Sequence, residues 1–254
     1  HTRYARDWSS DVCSSDLLYK KIQATRKPGS IVSSNTSTIP LAQLTEGMAE
    51  DFQSDFLITH FFNPPRYLRL LEVVAGERTR AHAVETVTRF ADFKLGKTIV
   101  PCKDTPGFIA NRIGIYWLQC GVVRAIDEDL TIEEADAVVG RPMGIPKTGV
   151  FGLLDMVGLD LMPHVLGGMA EALPEQDPFH EVFREPELIK RMIGDGYTGR
   201  KGKGGFYRLK PDAEEKIKEA IDLETGEYHT AQKPKLKSVA KRSEEHTSEL
   251  QSSA

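Results

Sequence analysis

Ile58-Thr59-His60-Phe61-Phe62-Asn63-Pro64-Pro65-Arg66-Tyr67-Leu68-Arg69-Leu70-Leu71-Glu72-Val73-Val74 is the stretch that decides the fold. Apolar and β-branched residues at both ends read as strands, and the Pro-Pro-Arg-Tyr connection can continue neither a ladder nor a helix. Folding the two strands back antiparallel about Arg66 makes positions that sum to 132 face each other. His60 then lies opposite Glu72 with Cβ atoms roughly 5 Å apart. A carboxylate on one ring nitrogen fixes the imidazole tautomer and raises basicity at the other, which is how a general base is built. A core histidine satisfied by a structural glutamate is the competing reading, and the pair alone leaves both open.

Outward from this hairpin, the order is α/β. Residues 18–24 suit the end of a helix stopped by Lys27-Pro28-Gly29. Ser30-Ile31-Val32-Ser33 reads as a short buried strand, and Ser34-Asn35-Thr36-Ser37-Thr38 follows at its carboxyl end, where open α/β sheets place ligands. Pro40 suits the first turn of a helix with Ser37 or Thr38 as N-cap. Residues 79–93 predict an amphipathic helix with Val84, Val87, Phe90 and Phe93 on its apolar side, and Thr98-Ile99-Val100 another strand. The pattern is the second half of a mostly parallel sheet flanked by helices. No Gly-x-Gly-x-x-Gly precedes it.

Beyond Gly107 the pattern turns helical. Residues 108–126 carry Ile109, Ile113, Trp117, Leu118 and Val122 at helical spacing, with Asn111 and Arg112 in the first turns. Thr131-Ile132-Glu133-Glu134 is a capping-box signature. Residues 149–173 predict one or two helices divided near Gly158, and 185–193 another. Six glycines among residues 194–205 require an irregular loop, which includes Lys201 and Lys203 and lacks the Walker spacing. Residues 213–221 read as a polar surface helix and 222–240 as an extended linker.

The composition, 40% apolar over 254 residues, supports a sizeable core in one or two domains. Three scattered cysteines exclude a disulfide framework and a zinc site, which makes a reducing cytoplasm the expected compartment. No window has the apolar length of a membrane span. The ends stand apart: Asp7-Trp8-Ser9-Ser10-Asp11-Val12-Cys13-Ser14-Ser15-Asp16-Leu17 and Arg242-Ser243-Glu244-Glu245-His246-Thr247-Ser248-Glu249-Leu250-Gln251-Ser252 can be encoded by the two complementary strands of one DNA. Both resemble a sequencing-library adapter, so residues 1–16 and 242–254 are set aside as tails and the natural protein is expected to extend past both ends. Without them the chain keeps 30 basic and 31 acidic residues. Such a balance gives no footprint for nucleic acid or anionic lipid.

Six stretches, in order, resemble the 3-hydroxyacyl-CoA dehydrogenase family: Ser34-Asn35-Thr36-Ser37; His60-Phe61-Phe62-Asn63-Pro64; Leu71-Glu72-Val73; Lys103 through Arg112, which reads Lys-Asp-Thr-Pro-Gly-Phe-Ile-Ala-Asn-Arg; Arg141-Pro142-Met143-Gly144 with Leu154 through Asp160; and Lys201-Gly202-Lys203-Gly204-Gly205-Phe206-Tyr207. The resemblance implies a truncated Rossmann-type domain over 17–103 that carries NAD, a helical substrate and dimerisation domain over 104–221, and a linker over 222–241. It implies NAD-dependent oxidation of an (S)-3-hydroxyacyl-CoA to the 3-oxoacyl-CoA in fatty-acid β-oxidation, by a homodimer, with a thiolase in the pathway. By the same resemblance His60 is the base, Glu72 its orienting acid, Ser37 and Asn111 bind substrate, and Ser37, Asn63 and Lys201 lie near the cofactor. The Lys201 run departs from the family's Lys-Thr-Gly-x-Gly-Phe-Tyr. Pro64-Pro65-Arg66-Tyr67-Leu68 resembles the bifunctional branch, in which an enoyl-CoA hydratase domain follows. Because the glycine fingerprint is absent, the polypeptide itself is expected to be inactive. A gulonate-type sugar-acid dehydrogenase and a non-catalytic acyl-CoA-binding or dimerisation module are the alternatives.

Overall fold

The computed structural model describes residues 8–37, 39–145, 147–211 and 215–237, with side chains from residue 17 onward. The chain divides into two compact units, residues 1–113 and 114–254, ten residues beyond the boundary expected from sequence.

In the first unit, helix α1 (Trp8–Thr25) begins inside the segment set aside as a tail and ends before Lys27-Pro28-Gly29. Strand β1 (Val32–Ser34) starts two residues later than expected, and short helices α2 (Leu41–Leu44) and α3 (Glu50–Ser54) follow. Then come β2 (Phe56–Phe61), β3 (Leu70–Ala75), α4 (Ala81–Leu95) and β4 (Thr98–Cys102). The sheet order is β1-β2-β3-β4, parallel at both outer pairs and antiparallel between β2 and β3. His60 pairs with Glu72 and Phe61 with Leu71, the register that folding about Arg66 predicts.

Side chains on successive strand residues leave opposite faces, and both faces are covered. Phe56, Ile58 and Val74 pack with Tyr19, Leu44 and Phe52 on one side. Leu57, Leu71 and Val73 pack with Ala83 and Ala91 on the other. Helix α4 thus approaches the sheet on its small residues, with Val84 and Val87 half-buried. Phe90 and Phe93, expected on that side, are exposed. The expected N-cap is also corrected. Pro40 precedes α2 with no side-chain cap of its own, and the Asp104 carboxylate accepts from Leu41 N at 2.7 Å and Ala42 N at 3.1 Å. Thr38 lies outside the described residues.

Helix α5 (Ala110–Asp127) leads into the second unit. Its buried side is Ile115, Leu118, Gln119, Val122, Val123 and Ala125, while Ile109, just before it, and Ile113 are exposed. Helix α6 (Ile132–Val138) carries the full Thr131–Glu134 capping box. Helices α7 (Phe151–Val157) and α8 (Met162–Ala172) are divided at Gly158, and α9 (Phe179–Val182) and α10 (Glu187–Gly194) follow. A small antiparallel sheet, β5 (Tyr207–Leu209), β6 (Lys218–Ile221) and β7 (Tyr228–Thr230), completes the unit. Residues 218–221 are therefore a strand and not the end of a polar helix, because Ala220 and Ile221 plug into the helical core. The expected linker likewise folds back as β7; its residues 238–241 lie outside the described ones. Among the described residues no single helix is long and apolar enough to cross a membrane.

The first unit holds a buried ion-pair junction. Asp55 accepts from Arg26 at 2.5 Å and meets Arg80, while its carbonyl takes the Val32 amide, so one residue joins α1, β1 and the start of α4. Removing one partner of a buried pair leaves an uncompensated charge, whereas exposed pairs contribute little. Asp55→Ala is expected to lower the unfolding free energy by about 3–5 kcal/mol. Asp51→Ala, which removes the exposed carboxylate on the same Arg26, is expected to cost about 0–1 kcal/mol. Urea unfolding of the two variants checks both.

Candidate active site

Strands β2 and β3 set their polar pair inside an otherwise apolar sheet. His60 is 6% exposed and Glu72 1%. His60 Nδ1 meets Glu72 Oε2 at 2.7 Å. The second carboxylate oxygen accepts from the amides of Ile109 at 3.1 Å and Ala110 at 2.8 Å, at the amino end of α5. An ionised carboxylate only accepts, so in this arrangement Nδ1 carries the proton, and in a neutral imidazole the lone pair is then on Nε2. Both oxygens of the buried carboxylate therefore have partners. The imidazole lies against Phe62, centroids 4.7 Å apart, and Phe108, 5.7 Å.

Around this pair the first unit gathers three of the other expected site residues. Asn35 Oδ1 accepts from Phe61 N at 2.9 Å, which ties the loop after β1 to the carboxyl end of β2. Ser37 is exposed on that loop, and Asn111 Nδ2 donates to the Ser37 carbonyl at 3.2 Å. Asn63 is exposed just beyond β2. The turn that carries it is fastened by Lys97, whose buried ammonium donates to the carbonyls of Pro65 and, at 2.7 Å, Leu68.

Asn35, Lys97, Asp104 and Phe108 are contributors that sequence reasoning did not assign. Only Phe108 had a local signal, the Gly107 before it; the others act across more than 20 residues. Cys102 is not a candidate nucleophile. Burial pushes its thiol up to about 11, with the Glu72 charge adding to the shift. Among the described residues no group of three His, Cys, Asp or Glu side chains could hold a metal.

The polar side chains at this end of the sheet are of a kind that could meet one end of a dinucleotide. Amide and hydroxyl side chains of Ser37 and Asn63 stand at the carboxyl ends of β1 and β2, where such sheets bind ligands. No Gly-x-Gly-x-x-Gly run precedes this sheet to receive the pyrophosphate; the run at residues 194–199 lies in the glycine-rich loop of the second unit, after a helix and not after a strand.

Lys201 lies in the second unit, exposed on the glycine-rich loop. That loop is built on Asp155 of α7. Its carboxylate accepts from Phe206 N and Tyr207 N, both at 2.8 Å, and its carbonyl from Arg200 N at 2.8 Å. Gly199 has φ +101° and Gly205 is packed so that a Cβ would run into the Asp155 carboxylate, which explains glycine at both. Asp136 works alongside, accepting from Phe151 N at 2.8 Å and the Tyr207 hydroxyl at 2.9 Å. The loop is a held structure and not the flexible turn its composition also allowed.

Residues 15–105 match the family model for the 3-hydroxyacyl-CoA dehydrogenase NAD binding domain, and residues 107–209 the model for the C-terminal domain of the same family. Among curated relatives, the putative fatty acid oxidation complex trifunctional enzyme of Rickettsia prowazekii is 42% identical over 85% of this chain. The probable 3-hydroxyacyl-CoA dehydrogenase of Bacillus subtilis is 41% identical over 80%. The chain spans 30% and 26% of the length of these two relatives. Among solved structures, FadB2 of M. tuberculosis superposes with a TM-score of 0.70 at 28% identity, covering 79% of this chain and 68% of that one.

Burial raises the Asp155 carboxyl to about 6, opposed by its two backbone donors. An unfolded aspartate titrates near 4. Folding therefore takes up a proton between those values. The stability this contributes is present below about pH 4 and is lost as pH rises through about 6. The stability of the wild type relative to Asp155→Asn is expected to fall by on the order of 1–3 kcal/mol between about pH 4 and 7. A difference that stays flat in denaturant titrations across that range would contradict the assignment.

Proposed function

Because the chain belongs to the 3-hydroxyacyl-CoA dehydrogenase family, we propose that the protein carrying it oxidises an (S)-3-hydroxyacyl-CoA to the 3-oxoacyl-CoA with NAD, as a step of fatty-acid oxidation. The observation that carries the proposal is the buried His60–Glu72 pair, one ring nitrogen held at 2.7 Å by a carboxylate. The other is left for a substrate.

In this reading His60 Nε2 takes the proton of the C3 hydroxyl. Glu72 holds the ring through Nδ1 and stabilises the imidazolium that forms, while its other oxygen stays neutralised by the Ile109 and Ala110 amides. The Ser37 hydroxyl and the Asn111 amide hold the substrate oxygen, so that the proton leaves toward the imidazole. Ser37 and Asn63 would hold the cofactor at the carboxyl ends of β1 and β2, and Lys201 is assigned to it by family resemblance. When bound, NAD supplies the hydride acceptor. Homodimerisation and passage of the 3-oxoacyl-CoA to a thiolase belong to the same proposal.

The 254-residue polypeptide by itself is read as a poor NAD binder, since no strand, Gly-x-Gly-x-x-Gly turn and helix stand before its sheet to cradle the pyrophosphate. Three preparations test this: the polypeptide alone, the polypeptide joined to a Gly-x-Gly-x-x-Gly βαβ half from a family member, and the joined form with His60→Gln. NADH formation is followed with 3-hydroxybutyryl-CoA and with gulonate. The expected result is turnover of the CoA ester only in the joined form, reduced by on the order of 10²–10⁴ in kcat by His60→Gln. Preference for gulonate, or turnover indifferent to His60→Gln, overturns the reading. A rate for the polypeptide alone near that of the joined form overturns the inactivity.

A further inference from the structure

Phe108 is a bulky residue in a backbone conformation that suits glycine. Its φ is +50°, directly after Gly107 at +72°, and its side chain is 3% exposed. The left-handed region costs an L-residue roughly 1–2 kcal/mol. Strain of this kind persists only where the surroundings over-determine it. Here two surroundings do so. The reversal at 107–108, closed by Phe108 N donating to Thr105 O at 3.0 Å, aims the next two amides, Ile109 and Ala110, at Glu72 Oε1. The same reversal lays the Phe108 ring on the His60 imidazole at 58° between planes, while Phe62 meets that imidazole at 61°. Glycine at 108 would relieve the backbone but remove the ring. A chain path without the left-handed step would not bring the ring and both amides to one site.

We infer that Phe108 is a positioning residue, whose strained backbone places its ring on His60 so that the imidazole keeps Nδ1 toward Glu72 and Nε2 toward the substrate. A half-turn of the imidazole about Cβ–Cγ would put Cδ2 where Nδ1 meets Glu72, which breaks that hydrogen bond and moves Nε2 off its direction. The tilted contact of the Phe108 ring adds to the hydrogen bond from Glu72 in resisting that rotation. The inference rests on the dehydrogenase reading for its meaning in catalysis, but its test needs no turnover.

The test is heteronuclear NMR of the 254-residue polypeptide with labelled histidine, near pH 8, on the wild type, Phe108→Leu and Phe108→Gly. The wild type is expected to give one His60 ring orientation, Nδ1-protonated, with cross-relaxation from the Phe108 ring. In either variant the ratio of the ring bonded to Glu72 through Nδ1–H to all other forms is expected to fall about 2- to 10-fold, the worth of one aromatic contact. If Phe108 only fills space, Phe108→Leu lowers thermal stability and leaves the His60 signals unchanged, which overturns the inference. Ring averaging in the wild type, or no cross-relaxation from Phe108, overturns it without any variant. A single wild-type orientation with that cross-relaxation supports it even where neither variant folds. Failure of the dehydrogenase reading would appear in the NADH assays and leave these spectra as they are.

Discussion

The carboxylate of Glu72 is the junction on which the first unit's candidate site depends. One oxygen holds His60 Nδ1 at 2.7 Å and the other takes two amides at the start of α5. A carboxylate this deeply buried is strongly destabilising unless its lone pairs are met. Meeting them fixes three things together: the register of β2 against β3, the point where α5 begins, and the tautomer of the imidazole. The Gly107-Phe108 reversal and the Asn35 bridge to Phe61 then bring Asn111 and the Ser37 loop to the same end of the sheet.

The second unit uses the same physical device for a different element. Asp155 and Asp136, both pushed up by burial, gather backbone amides from segments rich in glycine and so hold a loop that composition alone would leave loose. In both units a buried carboxylate on a regular element, Glu72 on β3 or Asp155 on α7, gathers backbone amides from a distant segment. In the first unit the acceptor also touches a titratable ring, which turns a structural arrangement into a chemical one.

The His60–Glu72 register was legible because the hairpin has few ways to close: two apolar runs flank prolines, and the symmetric fold about Arg66 is the one that opposes two polar residues inside them. The Thr131–Glu134 capping box and the break at Gly158 were legible for the same local reason. What escaped was set at long range. Asp104 caps α2 from 63 residues away, so Ser37 looked like the cap. Phe90 and Phe93 fit a helical apolar side, yet α4 meets the sheet through Ala83 and Ala91. Lys-Glu-Ala-Ile at 218–221 looked like a polar helix because its charged residues mask a strand that pairs with Tyr207–Leu209 on one side and, across the turn at Gly226, with Tyr228–Thr230 on the other. At Phe108 the preceding Gly107 marks a reversal, but propensity argues against a left-handed phenylalanine, so its backbone was not legible.

The most direct test of the shared carboxylate is neutron diffraction from deuterated crystals of the polypeptide grown near pH 8. The account predicts a deuteron on His60 Nδ1, none on Nε2, both Glu72 oxygens bare, and the Ile109 and Ala110 amide deuterons pointing at Oε1. A deuteron on Nε2 with a bare Nδ1, or one on Glu72, would contradict it.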